Sequence, residues 1–196
     1  MTMPQPNAIH ISPLGVDEDL SALGAWLADP RIARGLNIVP RTLSAADLRR
    51  YVASFDGASS VIMGIRAGAM LVGIATFDIN PRHRTAQWSL VVGHRDFRQK
   101  ETLLEAGLHL FDWAYGPAGL DKVSSRLAAT KMVLAYLYES VGIRREGYLR
   151  GEILLADGSA RQDELVFGLL RSDWPVVRAN IVSMLHGAEK APDPNI

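Results

Sequence analysis

The sequence predicts a mixed α/β fold with a mostly antiparallel sheet, on three observations. β-like runs follow one another between residues 60 and 92, joined by turns too short to hold a helix. A strongly periodic helical stretch then links the last of these runs to a further strand-like segment, the pattern of a βαβ crossover with two parallel neighbours. The closing runs, Arg144 to Leu155 and Arg161 to Leu170, turn at Asp157-Gly158 as a hairpin.

Taken in order, Ala8 to Leu14 is a short apolar run closed by Pro13 and Gly15, and it predicts a first strand. Asp17 to Ala28 predicts a helix whose first turn is acidic, suiting the positive end of the helix dipole, with Leu20, Leu23, Trp26 and Leu27 as its apolar stripe. The Asp29-Pro30 step ends it. Ser44, with Asp47 three residues on, predicts the N-cap of a second helix through Leu48, Tyr51, Val52 and Phe55, stopped by Asp56-Gly57.

Val61 to Ile65, Met70 to Phe77 and Ala86 to Val92 then read as a meander, turning at Gly68 and Asn80-Pro81. Gln99 to Tyr115 has the clearest helical period, with Leu104, Leu108, Phe111 and Tyr115 on one face, and Gly116-Pro117 terminates it. Lys122 to Ala129 is strand-like, and Lys131 to Val141 is a helix ended by Gly142. Trp174 to Leu185 predicts a last helix before a polar, proline-bearing end expected to be mobile. The expected organisation is one domain over residues 1–175, with a C-terminal helix and tail over 176–196.

Composition narrows the function. A chain of 196 residues with 48% hydrophobic content fits one globular domain. Lys plus Arg and Asp plus Glu number 21 each, so the basic excess of a nucleic-acid-binding domain is missing. With no cysteine there are no disulfides, thiolate metal sites or cysteine nucleophiles, which fits a reducing compartment. No signal-peptide pattern or membrane-length apolar run is read, and a cytoplasmic protein is expected, with neither nucleic acid nor membrane as partner. The phosphate-loop, dinucleotide, nucleophile-elbow and zinc-protease motifs are all missing. The histidines, at 10, 83, 94, 109 and 186, have no metal-ligand spacing, so no metal is expected.

The segment from Ala129 to Ile143, continuing to Arg150, resembles the closing segment of the GNAT superfamily of N-acyltransferases, whose pattern is roughly N-x-x-A/S-x-x-L-Y-E-K-x-G-F followed by x-x-E-G. Leu137, Tyr138, Glu139, Gly142, Glu146 and Gly147 fall in register with it. The Trp26 to Pro30 segment, the Ser44 helix, Asp157-Gly158, Asp163 and Leu169 to Trp174 are similar to the ribosomal-protein and spermidine acetyltransferase branch, so the likeness covers about residues 8–175.

The resemblance implies a sheet with a central parallel βαβ splay, where the last meander strand and the crossover strand part and free backbone groups for the pantetheine arm of acetyl-CoA. It places the diphosphate on the N-terminus of the long helix, where unpaired amides and the dipole favour anions. Val91, Val92, Arg98, Lys100 and Lys131 are the cofactor-binding candidates it implies, and Tyr138 the catalytic one, a hydroxyl placed to protonate the departing thiolate. Tyr138 also shares a helical face with Leu134, Leu137 and Val141, which suits simple packing. For a general base, Gln87 stands near a glutamate of the spermidine branch but cannot take a proton, and Asp78, His94, Asp96 and Glu101 are candidates by neighbourhood.

Two departures stand out. The phosphate signature R/Q-x-x-G-x-G/A keeps Arg98 in its first slot but has Glu101 and Leu103 in its glycine slots, and no glycine lies between Gly93 and Gly107. Lys131 replaces the usual asparagine. An acidic residue in a first turn stabilises its own helix, and it also repels a diphosphate. Arg95, Arg98, Lys100 and Lys131 form a cationic fringe that suits phosphates or a solvated face.

The expected function is transfer of an acetyl group from acetyl-CoA to a primary amine of a small molecule or protein N-terminus, by direct attack. The alternative is a degenerate GNAT fold that does not use acetyl-CoA, serving as a ligand- or partner-binding protein or as an enzyme with a different reaction. Strand edges and the apolar tail helix suit a homodimer, and equally a tail packed on its own domain.

Overall fold

The computed structural model describes residues 8–188. Its strands are β1 (Ile9–Pro13), β2 (Ser60–Ala67), β3 (Met70–Asn80), β4 (Thr85–Val92), β5 (Lys122–Ala128), β6 (Arg144–Leu154) and β7 (Arg161–Leu170). They form one sheet in the order β1-β2-β3-β4-β5-β7-β6, antiparallel except between β4 and β5. The helices are α1 (Ser21–Ala28), α2 (Pro30–Leu36), α3 (Ala45–Ala53), α4 (Lys100–Tyr115), α5 (Met132–Val141) and α6 (Trp174–Ala188). The mixed α/β class and the parallel crossover are as the sequence predicts.

Two early expectations are corrected. The first helix starts at Ser21 rather than Asp17, and no acidic residue lies in its first turn. The acidic side chains before it are otherwise engaged: Glu18 accepts from the Gly15 amide at 2.7 Å and pairs with Arg66, and Asp19 accepts from the Ser21 amide at 2.9 Å. Pro30 ends that helix but also starts α2, with the Asp29 carboxylate accepting from the Arg31 amide at 2.7 Å. Proline's fixed φ and missing N–H suit a first helical position, which is why the same dipeptide serves both ends. Ser44 and Asp47 form the expected reciprocal cap of α3.

Alternation along the strands divides the core. Val61, Met63 and Ile65 of β2 face α4, α5 and α6 with Phe77, Leu110 and Phe167, whereas Ile62 faces α1–α3 with Leu23, Trp26 and Leu48. Burying each of the larger apolar side chains contributes about 1.5–3 kcal/mol. Trp174, Val177 and Ile181 of α6 join the first cluster, so the boundary expected after residue 175 falls inside a helix packed on the chain's own core, while Val176 stays exposed. The expected mobile end beyond residue 188 lies outside the described residues. No described helix is long and apolar enough to cross a membrane.

The feature that positions the site is how briefly β4 and β5 pair. Their register covers only Thr85, Ala86 and Gln87 against Lys122, Val123 and Ser124. At this closed end the Asp121 amide donates to the Arg84 carbonyl at 2.7 Å, and the Ser124 hydroxyl to the Ala86 carbonyl at 3.2 Å. Beyond it, β4 stays paired with β3 as far as Val92, and β5 with β7 as far as Ala128. From Trp88 onward the two strands therefore part, each with one backbone edge lacking a partner strand.

Candidate active site

A cleft of about 520 Å³ opens where β4 and β5 separate. Because the gap passes through the sheet, both faces contribute to it. From the α4–α6 side come Leu103, Leu104 and Gly107 of α4, Ser125 of β5, and Leu134 and Tyr138 of α5. From the α1–α3 side come Arg34 to Asn37 at the end of α2, with Arg126 of β5 and Gln162 and Glu164 of β7. Arg126 and Glu164 fall on this side because neighbouring Ser125, Leu127 and Leu165 point to the other.

Tyr138 is the best-held polar group in the cleft. Its ring stacks on Trp88 with centroids 6.3 Å apart and meets Phe167 edge-on at 5.3 Å. The residue is 9% exposed, and burial pushes the phenol pKa up to about 12, while the nearby Ser125 hydroxyl pulls the other way. The hydroxyl is therefore neutral at ordinary pH and available as a proton donor.

The residues around it in the family-like segment have local reasons. Gly142 takes φ +100°, and the Ile143 amide then reaches back to the Tyr138 carbonyl at 2.9 Å, closing α5 and turning the chain into β6. Glu139 pairs with Arg145 at 2.6 Å, and the Arg145 guanidinium lies 5.9 Å from the Phe167 ring centre. Glu146 pairs with Lys122 at 2.6 Å and its carboxylate covers Gly168, so a side chain there would have to displace it.

The cofactor-binding candidates do not gather at one place. Arg98 turns back on β4, donating to the Val92 carbonyl at 3.2 Å and the Gly93 carbonyl at 2.6 Å. Gly93 is itself pinned, because the Trp26 ring occupies the space a side chain would need. Lys100 opens α4 half-exposed, with the Glu101 carboxylate 4.0 Å away. Val91 and Val92 lie further along β4 than the lining residues Trp88, Ser89 and Leu90. Lys131 lines the cleft, and its ammonium crosses to donate to the Gly35 carbonyl of α2 at 2.6 Å. Much of its side chain is open, yet crowding around the ammonium desolvates it and holds its pKa below the ordinary lysine range. Leu103 lines the cleft and Glu101 does not. Gln99 makes no side-chain cap, so the first amides of α4 keep their donors.

None of the base candidates lines the cleft. Asp78 and Gln87 face each other across β3 and β4, both exposed. Asp96 pairs with Arg95 at 3.5 Å, and the His94 ring packs edge-on against Phe97 at 5.3 Å with its Nδ1 buried and unpartnered. The carboxylate that does line it is Glu164, which sequence reasoning passed over. Its Oε2 accepts from Arg126 Nη1 at 2.9 Å, and Arg126 also lies 3.8 Å from Glu152. Glu164 Oε1 has no hydrogen-bond partner among the described residues and is not sealed from the cleft. A carboxylate heading the apolar run Leu165 to Leu170 was the available signal. No described cluster of His, Asp and Glu could hold a metal ion.

No family model matches the chain, and no curated protein matches it. Solved structures do. An inferred acetyltransferase aligns over 98% of this chain and 100% of its own, with TM-score 0.73 and 25% identity. Spermidine N-acetyltransferase from Vibrio cholerae, in complex with CoA and spermine, covers 86% of this chain and 98% of its own, with TM-score 0.73 and 20% identity. The chain has the GNAT acetyltransferase fold. A GNAT-family acetyltransferase from Bacillus anthracis agrees at TM-score 0.68, covering 86% of this chain and 98% of its own at 18% identity. In this GNAT fold the parting of β4 and β5 and the Tyr138 cleft are one feature, since the strands separate where the tyrosine and Trp88 rings stack.

Proposed function

We propose that the protein is an N-acyltransferase moving an acetyl group from acetyl-CoA to a primary amine of a small molecule or a protein N-terminus, by direct attack. The observation that carries this is a through-sheet cleft with a neutral Tyr138 hydroxyl on one face and the open oxygen of Glu164 on the other. The likeness to solved acetyltransferases supports it.

The residues present fit the donor. The unpaired edge of β4 and the apolar walls at Leu104 and Leu134 suit a pantetheine arm, and the uncapped start of α4 with Lys100 suits phosphates. Val91, Val92 and Arg98 complete the proposed donor contacts, while Lys131, turned to the Gly35 carbonyl, stands on the acceptor side. Acetyl-CoA supplies an activated thioester. The chain's work is to orient the amine on the α2 side, to take its proton at Glu164 directly or through water, and to donate the Tyr138 proton to the sulfur as the C–S bond breaks and the C–N bond forms.

A second reading has its own observation. At the start of α4, Arg98 is committed to backbone carbonyls, Glu101 adds negative charge and Leu103 projects into the cleft, as in a GNAT fold that binds another ligand or partner, or runs a different reaction. Incubation of the purified protein with acetyl-CoA and a panel of primary amines separates the two. Amine-dependent thiol release with an acetylated product supports transfer, and release that ignores the amine, or none at all, supports the second reading.

A further inference from the structure

We infer that the acceptor is a small amine that also carries an anionic group, the amine meeting Glu164 and the anion meeting Arg34 and Lys131. This rests on the acyltransferase reading and names its substrate class. Among the described residues, the charged ones lining the cleft are Arg34, Arg126, Lys131 and Glu164. Arg126 is matched, because it lies between Glu164 at 2.9 Å and Glu152 at 3.8 Å. Arg34 has no carboxylate partner among the described residues, and Lys131 has only the neutral Gly35 carbonyl. The α2 side of the cleft thus holds two unmatched cations and one carboxylate oxygen open to a ligand.

Gln162 adds to the same wall. Its Oε1 accepts from the Thr130 hydroxyl at 3.3 Å, which leaves the amide N–H groups for a ligand. A wall rich in donors and positive charge selects an acceptor-rich, negatively charged group. Arginine presents a fork of donors that matches a carboxylate or phosphate face-on. A polyamine needs the reverse pattern, because its second ammonium would enter beside Arg34 and Lys131. The same anion site has a second possible source, the phosphates of the donor, and kinetics distinguish the two.

The test measures thiol release from acetyl-CoA with α-amino acids and aminoalkyl phosphonates on one side, and putrescine and spermidine on the other. It uses the wild type, Arg34→Ala and Arg34→Glu. Arg34 is exposed and without an ion-pair partner among the described residues, so thermal melts are expected to show the variants folded. The wild type prefers acidic amines by at least about tenfold in kcat/KM, Arg34→Ala removes most of that preference, and Arg34→Glu turns it toward the diamines. A wild type that prefers polyamines overturns the inference and leaves the acyltransferase reading standing. So does an Arg34→Glu effect confined to the KM for acetyl-CoA and equal for every acceptor, which assigns the site to the donor. No thiol release with any amine removes the acyltransferase reading, and this inference with it.

Discussion

The two ends of the cleft are held in different ways. At the α5 end, Tyr138 is fixed by Trp88 and Phe167, and the turn at Gly142 and the Glu139 and Glu146 ion pairs hold the backbone behind it. At the α4 end the side chains are mostly exposed, Arg98 spends donors on the chain's own carbonyls, and Glu101 sits in the first turn. On the proposed acyltransferase reading, rigid packing fixes the position of a proton donor, whereas anion binding at the α4 end falls to backbone amides, the helix dipole and Lys100. The proposed reading therefore expects changes at the α5 end to act on turnover and changes at the α4 end on donor affinity.

The sharpest way to break that contrast is Tyr138→Phe. It keeps the ring and its stacking, so the melting temperature stays within a few degrees while kcat falls about 100-fold or more. Equal loss of kcat and stability would make the tyrosine a packing residue. Glu164→Gln is next: kcat/KM for the amine falls about 10- to 100-fold with little change in the KM for acetyl-CoA, read by steady-state kinetics in both substrates. At the other end, the double variant Glu101→Gln, Leu103→Ala is expected to lower the KM for acetyl-CoA about tenfold with kcat nearly unchanged, because it removes a repulsive charge and opens the phosphate path. Ser44→Ala, remote from both ends, costs about 1 kcal/mol of stability in denaturant melts through its lost helix cap and leaves kinetics alone.

The smallest effect is an absence. With the Tyr138 phenol at about 12, its ionisation produces no fall in kcat between pH 8 and 10. The sign follows from its raised value: the neutral phenol's contribution to stability is complete below the ordinary tyrosine value near 10 and is lost as pH climbs from there toward 12. A basic limb near 10 that disappears in Tyr138→Phe would place the hydroxyl in water.

Most of the fold was legible because period and punctuation agree. Ser44 with Asp47, Gly142, Asp157-Gly158 and the long stripe of α4 each act locally, and each appears where expected. The start of α1 was misread because Glu18 is drawn to Arg66, distant in sequence, and α2 was missed because Pro30 reads as a stop before it reads as a start. The site was half legible. Tyr138 lies within a contiguous motif, but Arg34, Arg126 and Glu164 come from separate elements and meet only through the register of β5 with β7 and the reach of α2. The chain likewise gives no sign that Arg98 folds back on Val92 and Gly93, since that depends on where β4 ends.

The most direct test of the central claim, that this cleft takes acetyl-CoA, is a calorimetric titration of the purified protein with acetyl-CoA at moderate salt, which screens nonspecific phosphate attraction. One-to-one, saturable binding is predicted, with the same affinity in Tyr138→Phe and a tighter one in the Glu101→Gln, Leu103→Ala variant. No heat and no thermal stabilisation at millimolar acetyl-CoA would contradict the account and give the GNAT fold of this chain another use.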